Sequence, residues 1–381
     1  MSYDTNLLGG RNFLVWLLCI VLLGLSACAQ VGEEGPAKPA RKLVYPEPPD
    51  EPRFVYERTI RGSDDVVGAS EDSALKLLLT GEGRNSFGLR KPYGVAVHQG
   101  RIFVSDTADH VIKVYDVPES RFFTIGNAES LGANERIVKP IGISVDGSGN
   151  IYAADATTKF IMVYDREGKF LRRFGGPDLF DRLTSVTVDK KGERAYVVDI
   201  GGSQSMRHHI LVFNAQTGEH LFDIGKRGSA PGEFNLPRSV AVGKDKKLYV
   251  VDGGNFRVQI FDFDGKFLKT FGAIGRQVGN FSRPKEAAVD PDGNLYVIDA
   301  AFGNFQIFNP EGEMLMSIGE RSDANAAGQF SLPSGITVDE NGRIYVVDQV
   351  FKKVDIFRPI KLGEHEGFLV KQAGKGEAPK K

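Results

Sequence analysis

The chain has 381 residues, of which 25% are charged, and its formal net charge is −1. This balance excludes attraction to nucleic acid by bulk charge, because such binding depends on an excess of lysine and arginine. We therefore expect no nucleic-acid partner. The two cysteines, Cys19 and Cys28, both lie near the N-terminus. A domain that follows them has no internal disulfide and must be stabilised by packing.

The first 28 residues have the pattern of an export signal. An apolar stretch at residues 13–25 is too short to cross a bilayer comfortably, and it ends in Leu-Ser-Ala-Cys at residues 25–28. This pattern resembles the lipobox of a bacterial lipoprotein signal peptide. The resemblance implies a signal peptide at residues 1–27 and lipidation of Cys28. A transmembrane anchor is the alternative interpretation.

The residue after Cys28 predicts where such a lipoprotein would reside. Ala29 at this position resembles an outer-membrane sorting signal, so we expect the periplasmic face of the outer membrane. Residues 28–52 contain six prolines, which favours a stiff, extended tether. A short helix is predicted at residues 70–80, where Ser70 suits a helix N-terminus. The tail at residues 363–381 is predicted to be partly disordered.

Six pairs of an aromatic residue and an aspartate, three positions apart, recur along the chain. The pairs are Phe103/Asp106, Tyr152/Asp155, Tyr196/Asp199, Tyr249/Asp252, Tyr296/Asp299 and Tyr345/Asp348. Successive aspartates lie 49, 44, 53, 47 and 49 residues apart. A period of this length predicts a blade or solenoid architecture built from six units.

Each unit has the pattern of four short strands. In the fourth unit the strands are predicted at residues 239–242, 248–251, 258–261 and 267–271, with polar turns between them. Four strands in roughly 40–50 residues favour a propeller over a linear stack. The predicted fold is therefore all-β, a six-bladed β-propeller over residues 53–362.

The sixth unit predicts how the ring closes. Strands are expected at residues 335–338, 344–347 and 353–357, but no convincing fourth strand follows them. Residues 53–62 are similar to the outer strand of the second unit at residues 169–175. We therefore expect the N-terminal strand to complete the last blade and to pair its open edge.

Three segments resemble the NHL-repeat six-bladed propellers, and the resemblance covers residues 53–360. They are Pro-Tyr-Gly-Val-Ala-Val at 92–97, Val-Val-Asp at 250–252 and Asn-Phe-Arg-Val-Gln-Ile-Phe at 255–261. Propellers similar to this one accompany multihaem cytochromes and other envelope complexes. The resemblance thus implies an envelope protein partner, and we expect a monomer without a cofactor.

The six repeated aspartates are predicted to be structural. A catalytic group is needed once, whereas a carboxylate needed by every blade is expected to accept backbone N–H groups in its own turn. The acidic segment at residues 290–294 is likewise interpreted as a turn, because it has no glycine at the sixth position of a calcium loop and no glutamate at the later ligand position.

The binding residues are expected where the repeat is broken. The distance from the strand-end aspartate to the aromatic residue of the third strand is nine residues in five units, but fourteen from Asp199 to Phe213. The inserted loop at residues 201–209 should share a rim with the starts of the blades. The predicted binding residues are Tyr93, Arg207, His208, His209, Arg238, Lys285 and Glu286. Two adjacent histidines are an incomplete ligand set, so no metal site is predicted.

Two classes of function follow. The first is a non-catalytic binding or scaffolding propeller, anchored to the cell envelope, that engages a protein partner through one rim. The alternative is a metal-dependent lactonase or lyase of six-bladed type, in which innermost strands carry acidic, Asn or His ligands. Glu286 is the only ionisable residue in the innermost strands here. Phe234, Phe281 and Phe330 in the blade connections are expected to pack in the joints between blades.

Overall fold

A computed structural model describes residues 42–68, 86–202 and 204–370. The chain divides into a unit of residues 1–42 and a compact unit of residues 43–381, which contains every element below. The predicted signal peptide, Cys28, Ala29, the first part of the tether and the helix expected at residues 70–80 lie outside the described residues. Within the described ranges, no helix is both long and apolar enough to cross a bilayer.

The N-terminal elements are two strands and one short helix. They are β1 (Val44–Tyr45), β2 (Phe54–Ile60) and α1 (Asp64–Val67).

Five blades follow in chain order, each an antiparallel four-stranded meander. Blade one contains β3 (Pro92–His98), β4 (Arg101–Asp106), β5 (Val111–Asp116) and β6 (Arg121–Ile125). Blade two contains β7 (Pro140–Val145), β8 (Ile151–Asp155), β9 (Phe160–Tyr164) and β10 (Phe170–Gly175). Blade three contains β11 (Leu183–Val188), β12 (Arg194–Asp199), β13 (His209–Asn214) and β14 (His220–Ile224). Blade four contains β15 (Pro237–Val242), β16 (Lys247–Asp252), β17 (Arg257–Asp262) and β18 (Phe267–Phe271). Blade five contains β19 (Pro284–Val289), β20 (Leu295–Asp299), β21 (Asn304–Phe308) and β22 (Met314–Ile318).

Blade six is assembled from both ends of the chain. A short parallel pair, β23 (Glu320–Arg321) and β24 (Gln329–Phe330), lies in the connection before it. The blade itself contains β25 (Pro333–Val338), β26 (Ile344–Asp348) and β27 (Lys353–Pro359). Its sheet continues through β2 and then β1, in the order β1-β2-β27-β26-β25. The first strands of neighbouring blades contact one another around a central axis. The prediction of an all-β six-bladed propeller is confirmed.

The core is divided among the joints between blades. Both faces of a central strand such as β16 are buried, because each blade packs against a neighbour on either side. Six clusters of buried apolar side chains lie at these joints. Burial of this kind stabilises the fold by about 25 cal/mol per Å² of apolar area.

The connections between blades add aromatic side chains to the same joints. Gly225 leaves blade three with a φ of +77°, and a Cβ there would lie 2.3 Å from the ring of Phe234. Gly272 has the same relation to Phe281 after blade four, at 2.5 Å. Phe234, Phe281 and Phe330 are all fully buried, so the prediction that they pack in the joints is confirmed. Glycine is required because any side chain would displace these rings.

The N-terminal strand closes the ring as the sequence predicts. β2 pairs with β27 in antiparallel register, with Thr59 opposite Asp355 and Ile60 opposite Val354. β1 adds a fifth strand, in which Val44 lies opposite Val55. Part of the segment that we interpreted as a tether therefore lies on the edge of blade six.

A buried ion pair links the closing strand to the blade. The Arg343 guanidinium is fully buried, and its Nε lies 2.8 Å from Glu57 Oε2. Its Nη2 also donates to the carbonyl of Glu366 at 2.8 Å. Leu369, a few residues further on, packs in the cluster between blades six and one. The described part of the C-terminal tail is thus held against the same blade.

Replacing Glu57 with alanine should destabilise the closed ring. The substitution leaves the Arg343 guanidinium buried without its anion, which costs about 3 kcal/mol. Chemical denaturation should show this loss in the free energy of unfolding. Glu51→Ala removes an exposed carboxylate just before β2 and should change that free energy by less than about 0.5 kcal/mol. Equal stability of Glu57→Ala and wild type would mean that the strand closes the ring without this pair.

Candidate functional site

One rim of the ring carries every connection between blades. The first strand of each blade starts at this rim and the second strand ends there, so the strand-end aspartates lie on it too. We term it the upper rim. The turns between first and second strands form the lower rim.

The strand-end aspartates hold the upper rim in place. The Asp348 carboxylate accepts backbone N–H groups from Ser331 and Leu332 at 2.8 Å each, before its blade begins. It also accepts from Val350 at 2.9 Å and Phe351 at 2.8 Å in the following turn. All six aspartates are fully buried. Five of them accept two backbone N–H groups from the segment before their blade, and Asp252 accepts one, from Asn235. Each therefore joins the start of a blade to its second strand.

The six residues that follow Pro or Leu at the start of each blade form a ring around the axis. They are Tyr93, Ile141, Thr184, Arg238, Lys285 and Ser334. Charge at this position comes only from Arg238 of blade four and Lys285 of blade five. The pseudo-sixfold symmetry of the scaffold is thus broken on one side of the axis.

A cavity of about 260 Å³ lies at this broken position. Tyr93, Arg238, Lys285 and Glu286, four of the predicted binding residues, line it together with Arg283. The sequence prediction did not include Arg283. A repeated sequence pattern could have identified Arg283. A cation lies directly before the proline that starts a blade in Lys91-Pro92, Lys139-Pro140 and Arg283-Pro284.

Backbone irregularities remove the charged residues from the regular strand pairing. Pairing between β19 and β20 is interrupted between Pro284 and Ala287, so Lys285 and Glu286 lie outside the regular ladder. A shorter interruption in blade four separates Pro237 from Ser239 and frees Arg238. Such bulges commonly redirect side chains near functional sites.

The cations in the cavity are destabilised in their charged form. Burial, with Arg283 and Arg238 nearby, lowers the pKa of Lys285 to about 8. Burial also lowers the pKa of Arg238, and Arg283 and Arg182 add to the effect. Two nearby acids, Asp348 and Glu286, oppose this effect on the pKa of Lys285, but the oxygens of Asp348 already accept four backbone N–H groups.

Glu286 is the carboxyl group of the cavity. It retains some contact with solvent, yet protein surrounds it, and this burial raises its pKa to about 8. Lys285 only partly opposes the shift. At neutral pH the Glu286 side chain is therefore mainly a neutral hydrogen-bond donor, and the positive charges of its neighbours dominate the cavity.

The inserted loop of blade three shares the upper rim with the blade connections, but its histidines are buried. The exposed fraction of His208 is 2%, and its Nδ1 accepts the backbone N–H of Leu236 at 3.1 Å. Burial lowers the pKa of His208, which keeps this nitrogen available as an acceptor. His208 therefore holds the start of blade four, and we revise its predicted role from partner binding to structure.

His209 and Arg207 also lie away from the cavity lining. His209 is buried at the start of β13, and its Nδ1 lies 3.1 Å from Asp223 Oδ2. Arg207 is exposed and lies 3.5 Å from Asp181. Of the three loop residues, Arg207 alone is accessible to a partner.

The most exposed large apolar side chains lie on the same rim. Among the described residues the four with the largest exposed fractions are Val278 at 84%, Ile274 at 69%, Met206 at 64% and Phe87 at 61%. Ile274 and Val278 belong to the connection between blades four and five, and Met206 to the inserted loop. Met206 contacts the next connection, since its carbonyl accepts the Arg227 N–H at 3.1 Å.

The described residues contain no cluster of three or more His, Cys, Asp or Glu arranged to hold a metal ion. In the cavity, Arg238, Arg283 and Lys285 accompany a single carboxyl group. Divalent cations are repelled by such an arrangement, whereas anions are attracted.

Comparison with known proteins places this chain among repeat propellers. A family model described as a 6-bladed beta-propeller matches residues 179–273. NHL repeat-containing protein 3 of Mus musculus is 27% identical over 181 residues, which cover 43% of this chain and 49% of that protein. The chain is thus similar in sequence to NHL-repeat proteins, and its fold is a six-bladed propeller. The chain spans about half the length of this curated relative.

Solved structures share the fold of this propeller at low sequence identity. A Bacteroides thetaiotaomicron protein of unknown function has a TM-score of 0.56 and 17% identity, over 71% of this chain and 70% of that one. A gluconolactonase of Xanthomonas campestris has a TM-score of 0.53 and 14% identity, over 71% of this chain and 86% of that one. These likenesses describe the fold alone.

Glu286 should make the stability of this propeller decrease as the pH rises. Its pKa is about 8 in the folded protein and near the ordinary 4.5 in the unfolded chain. Its stabilising contribution is therefore fully present below pH 4.5 and is lost as the pH rises through about 8. The glutamine side chain in Glu286→Gln does not titrate. The free energy of unfolding of this variant, minus that of the wild type, should therefore increase by several kcal/mol from about pH 5 to about pH 9.

Denaturant unfolding at several pH values measures this difference. Lys285 is present in both proteins, so its own titration largely cancels in the comparison. Glu51→Gln, at an exposed position, should follow the wild-type curve throughout. Parallel curves for Glu286→Gln and wild type would contradict the prediction.

Proposed function

We propose that this protein is a non-catalytic binding propeller that holds a protein partner on the upper rim of blades three to five. The observation that carries the proposal is the coincidence of two features in this sector. Met206, Ile274 and Val278 are exposed apolar side chains, and Arg238 and Lys285 line the cationic cavity on the same rim.

Covering exposed apolar side chains at loop tips with another surface is favourable, because it removes apolar area from water. A partner that buries Ile274 and Val278 gains hydrophobic stabilisation, while Arg283 and other cations on the rim favour an acidic surface. Charge of this kind mainly sets the association rate and the choice of partner. The preferred partner is therefore a protein with an apolar patch bordered by acidic residues.

The cavity gives no support to a metal-dependent lactonase or lyase. Arg238, Arg283 and Lys285 oppose the entry of a divalent cation, and Glu286 is the only carboxyl group in the lining. The likeness to a gluconolactonase, at 14% identity, supports the fold and not the activity.

We further propose that the propeller acts at the bacterial cell envelope, attached by lipid to the periplasmic face of the outer membrane. The support is the Leu-Ser-Ala-Cys sequence at residues 25–28 and Ala29 after it. A lipid anchor on Cys28 would bring the upper rim to envelope proteins, among which complexes with multihaem cytochromes are candidates.

Partner capture should depend on the apolar tips of the upper rim. An Ile274→Asp/Val278→Asp variant should recover at least about tenfold less cross-linked protein from solubilised envelope than the wild type does. This loss is equivalent to about 1.4 kcal/mol of binding free energy. The matched control is Leu221→Asp/Leu268→Asp, which places the same charges on exposed outer-strand positions of blades three and four. Quantitative mass spectrometry compares the recovered proteins. Equal recovery with both double variants would move the binding face elsewhere.

The lipid anchor predicts that Cys28→Ser releases the protein from the membrane fraction. A single acyl chain binds weakly, whereas several chains together anchor almost permanently. Fractionation should find the variant in soluble extracts, and the intact mass of the wild-type protein should correspond to acylation at Cys28. A wild-type mass with residues 1–27 retained and no lipid would reject the anchor.

A further inference from the structure

The cations of the axial cavity differ from the other buried cations of this propeller. Among the described residues, each of the five buried Lys and Arg side chains lies within 4 Å of a carboxylate. The pairs are Lys113–Asp106 at 3.0 Å, Arg101–Asp116 at 2.6 Å, Arg343–Glu57 at 2.8 Å, Lys353–Asp355 at 2.7 Å and Arg358–Glu364 at 3.8 Å. The fold therefore neutralises its internal cations as a rule.

Arg238 and Lys285 have no carboxylate partner of this kind within the described ranges. Both are half-buried in the cavity lining, and among the described residues no side-chain hydrogen bond or ion pair holds either of them. The neighbouring Arg283 is exposed and makes no such contact either. Cations kept together and unpaired in a concave site cost stability, and this cost is typical of a site that a ligand completes.

We infer that the axial cavity binds an oxyanion, a carboxylate or phosphate group, between Arg238 and Lys285. The inference deepens the proposed function and rests on it for the choice of the upper rim as the working face. The planar guanidinium of Arg238 presents two parallel N–H donors to such a group, and the Lys285 ammonium adds a point charge.

The rest of the lining suits a small anionic group. Tyr93 contributes a hydroxyl group with no intramolecular partner among the described residues, whereas the Ser334 hydroxyl is occupied, since it donates to the carbonyl of Tyr93 at 2.7 Å. Leu236 and Phe256 provide apolar surface at the edge of the cavity. A volume of about 260 Å³ far exceeds the roughly 10–15 Å³ that one water requires. The cavity can therefore hold the oxyanion together with the first carbons attached to it.

Calorimetric titration of the purified propeller with inorganic phosphate and with succinate tests the inference. In a chloride buffer of fixed ionic strength, at least one of the two should bind saturably with a stoichiometry near one. Arg238→Gln and Lys285→Gln should each weaken that binding at least tenfold. Arg276→Gln removes one exposed cation from the connection between blades four and five and should leave the affinity unchanged.

A second readout separates the cavity from a general attraction of anions to surface arginines. An anion in the cavity favours the protonated forms of two titratable groups, Lys285 and Glu286. The other titratable or charged groups near them are Tyr93, Arg238, Arg283 and Asp348. Binding at about pH 8 should therefore take up protons, which is measured by comparing the binding enthalpy in buffers of different ionisation enthalpy. Saturable binding with no proton uptake, or equal loss of affinity in Arg276→Gln, would overturn the inference.

The partner experiment and this titration can fail independently, since phosphate and succinate are added to the protein alone. No saturable binding of either anion by a folded wild-type protein would overturn the oxyanion site and leave partner capture unaffected.

If saturating phosphate also releases the captured partner, the oxyanion belongs to the partner. If the partner stays bound, the oxyanion belongs to a free small molecule. Tighter, strongly salt-dependent binding of a single-stranded oligonucleotide would instead assign the cavity to a nucleic-acid backbone and overturn the inference.

Discussion

Closure of the ring is the constraint on which the rest of this structure depends. A four-stranded blade has two apolar faces, and burying both requires a neighbour on each side. Six joints satisfy this requirement only when the sixth blade meets the first. Here that contact uses β2 from the N-terminus, the Glu57–Arg343 pair beneath it and Leu369 from the C-terminal tail. Loss of any joint exposes the faces of two blades.

The same repetition creates a site by allowing differences at equivalent positions. Backbone hydrogen bonds to the six aspartates fix where each blade starts, so the residue that follows can vary without affecting the fold. Tyr93, Thr184 and Ser334 are neutral at this position, while Arg238 and Lys285 are charged. Because equivalent residues of all six blades meet at the axis, two substitutions in adjacent blades suffice to form a cationic cavity.

The propeller could be predicted from the sequence because its signals are local and recur six times. The closing strand was also predictable, since the sixth unit lacks one strand and residues 53–62 match the pattern of an outer strand. The cavity was only partly predictable. Its residues come from blades one, four and five, so Tyr93 and Lys285 are 192 residues apart in the chain. The interruption of pairing between Pro284 and Ala287 also breaks the alternation from which the direction of a strand's side chains is predicted. Tyr93, Arg238, Lys285 and Glu286 were identified, whereas Arg283 was not.

The inserted loop shows that a change in repeat spacing predicted binding residues less well than the change in charge at the starts of blades four and five. Its length suggested a binding element, but His208 caps the start of blade four. In that blade the oxygens of Asp252 accept the N–H of Asn235 and the side chains of Asn255, Arg257 and Gln259. The N–H of Leu236 therefore needs a different acceptor, which sequence spacing does not reveal.

Closure by the first strand also sets an order of events during synthesis. Thr59 donates to Asp355, a partner 296 residues later in the chain, so β2 leaves the ribosome long before β27 exists. At roughly 5–20 residues per second this interval is on the order of tens of seconds. Throughout it, the edge of β2 and the outer faces of the growing set of blades have no native cover. The ring can be completed only after the final blade is released, because β2 and β27 must both be available for pairing. A protein exported while unfolded would form this pairing after translocation, when both ends of the chain are present together.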